Sequence, residues 1–273
     1  MKIIYAGFNF FSSVLDEIIH SPDHEVLLCM TGEKGETIQT IESLCEKNII
    51  ELHHGSWTDQ VINKINGLQA DLLITAAYSY RVPVEKLNTL HCINLHPSLL
   101  PMGRGPNPLP ELISAMAQHS GLTIHKMTPQ FDDGSIIIQT PIAITKQDGF
   151  DTLSMKMFLE APKLIRQFFL EYPEIINRAK PQNGGEYWSC CSEEERTINW
   201  YMGIDEILDI HKKYGAVGVI FPFQQVGRIE VFNIIGVKQS HEYPVGEIVL
   251  NAGHYIYVSV HDGILRLWLG MNS

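Results

Sequence analysis

The sequence predicts an α/β protein with a doubly wound, mostly parallel sheet and a smaller, β-rich, barrel-like C-terminal region. Three observations carry that prediction. Short runs that are apolar throughout, as in strands covered on both faces, recur along the first half of the chain. Segments of helical spacing alternate with them. From about Pro181 the character changes to short alternating strands separated by Gly- or Asp-containing turns.

In chain order, KIIYAG, EVLLCMT, NIIEL, DLLITAA and HCINLH read as strands, and FSSVLDEIIHS, GETIQTIESLCEKN and WTDQVINKINGL as the helices between them. A Pro-rich turn introduces a helix from Leu109 to His119, and the strands GLTIHKM and GSIIIQTPIAI follow. A long helix from Thr152 to Leu170 closes the first domain. EYPEIINRAKPQNGGEYW, with its prolines and Gly-Gly, reads as a linker. The second domain has one helix, IDEILDIHKKYG, and the strands VGVIFPF, RIEVFNIIGV, GEIVLN, YIYVSV and ILRLWLG. The expected boundaries are 1–180 and 181–273.

Composition narrows the function. The chain is 45% apolar and 19% charged, as an ordinary globular protein is, and no apolar run approaches the roughly 20 residues that span a bilayer. MKIIYAGFNFF enters a strand directly and lacks the features of a signal peptide. The five cysteines (Cys29, Cys45, Cys92, Cys190, Cys191) have no metal-ligand spacing and fit reduced thiols, so a cytoplasmic location is expected. Net charge is −11, and no basic run reaches three residues, which lowers the expectation of a nucleic-acid partner. The single Gly7 in the first βα turn lacks the three-glycine dinucleotide fingerprint. No GxxxxGK[ST], GxSxG or zinc-ligand set occurs, and no metal is expected.

The informative stretch is INLHPSLLPMGRGPNPL, residues 93–109. Strand side chains alternate, so Asn94 and His96 share a face near the carboxyl end of the fifth strand, where open α/β sheets bind ligands. Downstream, QFDDGS sets Asp132 and Asp133 in a polar turn. An amide, an imidazole and a carboxylate suit acyl transfer to an amine. Asn94 and a protonated His96 would stabilise the oxyanion, while Asp132 would keep His96 cationic and help remove the amine's surplus proton. The residues alone leave a second reading open, in which Asn94 and His96 cap a strand end and the acidic pair forms an Asx-type turn.

INLHPSLLPMGRGPNPL followed by GLTIHKMTPQFDDGSII resembles the signature of folate-dependent formyltransferases, the group that includes methionyl-tRNA formyltransferase, glycinamide ribonucleotide transformylase and the sugar N-formyltransferases. The resemblance implies a catalytic trio of Asn94, His96 and Asp132 and 10-formyltetrahydrofolate as formyl donor. AAYSYRVPVEKLN is similar to the family's folate loop, which implies donor contacts from Tyr78, Ser79, Tyr80, Arg81 and Val82, with Gln130, Phe131 and Asp133 from the acidic turn. FNFF stands where the commonest members have Thr-Pro-Glu-Phe, so acceptor contacts are expected from Phe8, Asn9 and Phe10, with Phe11 assigned to the core. EYWSCCSEEERTINW is similar to the segment opening the C-terminal domain of the tRNA and sugar enzymes.

The tRNA enzymes carry a long basic loop after the second strand, where this chain has the short TGEKGETIQ. That difference, with the acidic balance, favours the amine of a nucleotide-linked amino sugar as acceptor, in the biosynthesis of a surface glycan or lipopolysaccharide. Formylation of methionyl-tRNA and hydrolysis or mere binding of the folate are the alternatives. Arg104 is a candidate for the acceptor's phosphate, with plain solvation as its other reading, and Asn107 resembles the RG-x-NP variant of sugar-modifying members. A homodimer through the C-terminal region is the expected assembly. His125 is assigned a structural role, and Trp200 and Trp268 go to the second core.

Overall fold

The computed structural model describes residues 1–32, 38–88, 91–115 and 118–269. Its elements are β1 (Lys2–Gly7), α1 (Ser12–Ile19), β2 (Glu25–Thr31), α2 (Gln39–Lys47), β3 (Leu52–His54), α3 (Asp59–Leu68), β4 (Leu72–Ala76) and β5 (His91–His96). There follow α4 (Leu109–Ser114), β6 (Gly121–Lys126), β7 (Ile136–Pro141), α5 (Phe150–Glu171), α6 (Glu174–Asn177) and α7 (Ile204–Tyr214). The chain ends in β8 (Val219–Phe223), β9 (Gly227–Val231), β10 (Asn233–Lys238), β11 (Ile248–Asn251), β12 (Tyr255–Val260) and β13 (Gly263–Trp268).

The chain divides into two compact units. One comprises Met1–Pro108, Ala117–Ala143 and Ser154–Ser189, and the other Leu109–Met116, Ile144–Leu153 and Cys190–Ser273. In the first unit seven strands form one sheet in the order β3-β2-β1-β4-β5-β6-β7. Pairing is parallel from β3 to β5, and β6 and β7 run antiparallel to their neighbours. Ile3, Ile4, Tyr5 and Ala6 of β1 are buried at successive positions, as are Leu72, Leu73 and Ile74 of β4. Both faces of the sheet centre are therefore covered, which accounts for the unbroken apolar runs. The strand order reverses between β1 and β4, and the crevice at the carboxyl ends of those strands is where such sheets accept ligands.

Several boundaries depart from the expected ones for local reasons. The third strand lies at Leu52–His54 instead of 48–52, because Asn48 caps α2 and Ile49 turns through φ +58° into solvent, where it is 95% exposed. Ile49 and Ile50 imitate a buried strand without being one. The expected linker holds α6 at Glu174–Asn177. RIEVFNIIGV forms two strands, since the chain breaks at Phe232 and sends β9 to β8 and β10 to β13. In the second unit a four-stranded sheet (β10-β13-β12-β11) and the two-stranded β8-β9 sheet make up the barrel-like region. Phe221, Phe223, Val258, Leu265 and Leu267 share its core with Ile204 and Ile207 of α7. Trp200 packs on that core, and its indole N–H donates to the Pro222 carbonyl at 2.9 Å.

Asn9 follows β1 and reaches over to α2. Its Oδ1 accepts from the Thr40 and Ile41 backbone N–H groups at 3.0 and 3.2 Å, and its Nδ2 donates to Gln39 Oε1 at 3.4 Å. The side chain thus supplies an N-cap from outside the helix, satisfying two of its free donors. Asn9→Ala is expected to lower stability by about 1 kcal/mol, measured by urea denaturation, while leaving acceptor KM unchanged.

Candidate active site

The site grows from the register of three neighbouring strands. Thr75 of β4 is the lateral partner of Asn94 in β5, and Asn94 is the partner of His125 in β6. Cross-strand partners present side chains on the same face, so these residues meet without any loop being needed. The buried Thr75 hydroxyl donates to Asn94 Oδ1 at 2.7 Å. That bond fixes the amide so that Nδ2 points to His125 Nε2 at 3.1 Å and to Asp132 Oδ1 at 3.3 Å.

His96 lies two residues further along β5 and is 4% exposed. After it the chain turns back on itself, and Ser98 Oγ donates to the Met102 carbonyl at 2.7 Å. Gly103, at φ +72°, thereby places its carbonyl 2.7 Å from His96 Nε2, which donates to it. Nδ1 of the same ring faces Asp132 Oδ1 at 3.4 Å. Gly105, at φ +115°, turns its N–H onto Asp132 Oδ2 at 2.9 Å, and a Cβ on Gly105 would fall 2.1 Å from the Trp188 carbonyl oxygen. A glycine is required there by both the conformation and the space.

Asp132 itself sits at φ +51°, an uncommon conformation for a residue with a side chain. Its carboxylate meets Asn94, His96 and the Gly105 N–H, and His125 Nε2 stands 3.5 Å from Oδ1. Burial pushes its pKa up, yet the His125 contact, the neighbouring His96 and the Gly105 N–H outweigh burial and hold the group at about 2. For His96 the balance falls the other way. Burial lowers its pKa, and the opposing pull of Asp132 and the Gly103 carbonyl does not make up the difference. The expected imidazolium is therefore corrected: the resting site pairs an ionised Asp132 with a neutral His96, and both ring nitrogens face protein atoms.

The remaining candidates divide clearly. Phe8, Tyr78 and Tyr80 form an aromatic cluster beyond β1 and β4, with Phe8 and Tyr80 stacked at 6.4 Å and Tyr78 and Tyr80 5.5 Å apart. Val82 is buried, Ser79 is exposed, and Arg81 pairs with Glu85 at 3.5 Å. Gln130 and Phe131 are exposed at the acidic turn. Phe10 packs on Phe11 with ring centres 4.4 Å apart, Phe11 is fully buried, and Asn107 is half-buried. Asn9, expected to touch the acceptor, has its amide engaged in capping α2. Arg104, expected at a phosphate, instead donates from Nε to Gln182 Oε1 at 3.1 Å and from Nη2 to the Gly184 carbonyl at 3.0 Å, and pairs with Asp133 at 3.0 Å. Residues 33–37 of the TGEKGETIQ loop lie outside the described residues. Thr75 and Gln182 were not foreseen. A threonine inside the apolar run LLITAA was the available signal for the first.

Comparison with known proteins identifies the family of the chain. Residues 31–167 match the family model described as formyl transferase, Formyl_trans_N. A methionyl-tRNA formyltransferase of Ehrlichia chaffeensis is 35% identical over 218 residues, 72% of each chain. An N-formyltransferase of Helicobacter canadensis, solved with folinic acid and dTDP-3-aminofucose, superposes with a TM-score of 0.64 at 18% identity, covering 98% of this chain and 99% of that one. HypX of Aquifex aeolicus gives a TM-score of 0.68 at 16% identity, where 98% of this chain spans 43% of the larger protein.

The two shifts predict how stability follows pH. Both groups take up protons less readily folded than unfolded, so their contribution to stability is full above pH 6.5 and falls as His96 resists protonation below it. It falls again from 3.8 toward 2 as Asp132 loses its charge, a step on the order of 2 kcal/mol. Urea denaturation across this range should show the lower step in the native chain and not in Asp132→Asn.

Proposed function

Because the chain belongs to the formyl transferase family and is a folate-dependent N-formyltransferase, we propose that it moves the formyl group of 10-formyltetrahydrofolate to the amine of a nucleotide-linked amino sugar. The donor's ring has a suitable seat in the aromatic cluster of Phe8, Tyr78 and Tyr80, at the crevice where the strand order reverses. The amine attacks the formyl carbon, and the carbonyl oxygen gains charge as that carbon becomes tetrahedral. Asn94 Nδ2, oriented by the Thr75 bond to Oδ1 and engaged at rest with His125 Nε2 and Asp132 Oδ1, exchanges one of these contacts to donate to that oxyanion. Asp132, ionised and adjacent, takes the surplus proton from the attacking nitrogen, and neutral His96 Nδ1 stands behind it to share that proton. Collapse of the intermediate breaks the bond to the folate nitrogen, which leaves with the proton that Asp132 and His96 took from the amine.

The observation that carries the choice of acceptor is the state of the arginines. Arg81, Arg104, Arg166, Arg178, Arg196 and Arg228 each have a carboxylate within 3.5 Å, and Arg266 lies over the Tyr255 ring. A protein that grips a nucleic-acid backbone neutralises many phosphates with cations that its own carboxylates have not claimed. Here six of the seven guanidinium groups are paired with the chain's own carboxylates and the chain carries −11 overall, which supports a small acceptor with one or two phosphates. Methionyl-tRNA is the second reading, supported by curated relatives such as the Ehrlichia enzyme.

The test is a panel of nucleotide-linked 3- and 4-amino sugars and charged initiator tRNA, each incubated with the formyl donor and examined by mass spectrometry. A sugar should gain one formyl group and the tRNA none. Formylation of the tRNA alone overturns the proposal, and formate release without any amine marks a hydrolase. With the accepted sugar, Asn94→Ala and Asp132→Asn should each lower kcat by about 100-fold or more while donor binding, followed by calorimetry, is retained.

A further inference from the structure

The segment after α6 is exposed over most of its length, yet it is tied to both halves of the site. Its first contact is a two-way backbone bridge between Lys180 and Ile136, with both bonds at 2.8 Å. Further on, the Arg104 N–H donates to the Glu186 carbonyl at 3.0 Å, and the Trp188 N–H donates to the Arg104 carbonyl at 2.7 Å. Gln182 lies between these attachments. Its Nε2 donates to the carbonyls of Asp132 at 2.9 Å and Gly134 at 2.7 Å, and its Oε1 accepts from Arg104 Nε.

A primary amide has two N–H donors and one carbonyl, and here each has a partner. Two of those partners flank the acidic turn, in which Asp132 adopts φ +51° and a Cβ on Gly134 would fall 1.8 Å from the Lys126 carbonyl oxygen. The third belongs to Arg104, whose neighbour Gly105 holds Asp132 Oδ2. Gln182 thus spans the turn that carries the carboxylate and the loop that receives it. Residues 183–187 are exposed, so the segment buries little apolar surface of its own. Its contribution lies in geometry more than in packing.

We propose that Gln182 is a positioning residue, holding the Asp132 carboxylate against Asn94 and His96 through the backbone of the 132–134 turn. The proposal rests on the reading of Asp132 as the proton acceptor. Glutamate in its place keeps the size, loses both N–H groups and sets an anion against two carbonyl oxygens. Released from the Gly105 N–H, the carboxylate of Asp132 would titrate at higher pH.

The experiment compares Gln182→Glu and Gln182→Met with the native protein in steady-state formyl transfer and in carbon-detected NMR titration of the Asp132 carboxyl group. Both variants should lose about tenfold or more in kcat, with donor KM within about threefold, because the fault is in a step made after binding. The Asp132 midpoint should rise by about one pH unit from its native value near 2. A folded variant with native kcat and an unmoved midpoint overturns the proposal. So does a fall in kcat with the midpoint unmoved, which places the action of Gln182 elsewhere, and so does loss of the fold in both variants, which makes the residue a general structural one. Near-native turnover in Asp132→Asn removes the acid-base reading of Asp132 instead, and leaves a raised midpoint in the Gln182 variants as evidence for positioning alone.

Discussion

One carboxylate organises the candidate site. Asp132 is almost wholly enclosed, remains an anion, and is met by an amide N–H, a backbone N–H and two imidazole rings from three separate stretches of chain. Burying an anion is tolerable only when its oxygens are this well partnered. Each partner is in turn constrained: Asn94 by the Thr75 hydroxyl, His96 by the Gly103 carbonyl, and His125 by its Nδ1 contact with the Lys126 carbonyl at 2.7 Å. Remove the charge, and three side chains keep their places with nothing to converge on.

The same arrangement explains why His96 is neutral at rest. A ring enclosed beside a single anion, with one nitrogen already donating to a carbonyl, gains too little from ionisation to offset the loss of water. A site prepared in that state has room for one more proton between His96 Nδ1 and Asp132. In the proposed reaction that is the proton the acceptor amine must give up once its nitrogen has bonded to the formyl carbon.

Much of this was legible in the sequence, and the exceptions have physical causes. The alternation of apolar runs and helical segments followed from strands covered on both faces, and the resemblance to formyltransferases pointed to Asn94, His96 and Asp132. Ile49 and Ile50 misled because an apolar pair at a helix end, the first exposed and the second half-buried, looks like a strand when solvent is invisible. The break at Phe232 was hidden because apolar residues continue through it from one sheet to the other. The protein partners of Asn9, Arg104 and Gln182 could not be read, since they lie 31, 78 and 50 residues away in sequence. For a short amide or a long guanidinium, register and loop closure decide whether it faces a ligand or its own chain.

The backbone bridge between Ile136 and Lys180 has a meaning apart from chemistry. β7 is the outermost strand of its sheet and opens with three isoleucines, a row of unpaired peptide groups beside apolar side chains. Such borders invite strands from other molecules. By laying Lys180 along the start of that border, the chain covers its stickiest part with its own backbone and a cation. The segment proposed to steady the carboxylate thus also occupies the first rung of that border, and loosening it would expose backbone groups beside Ile136 to other chains.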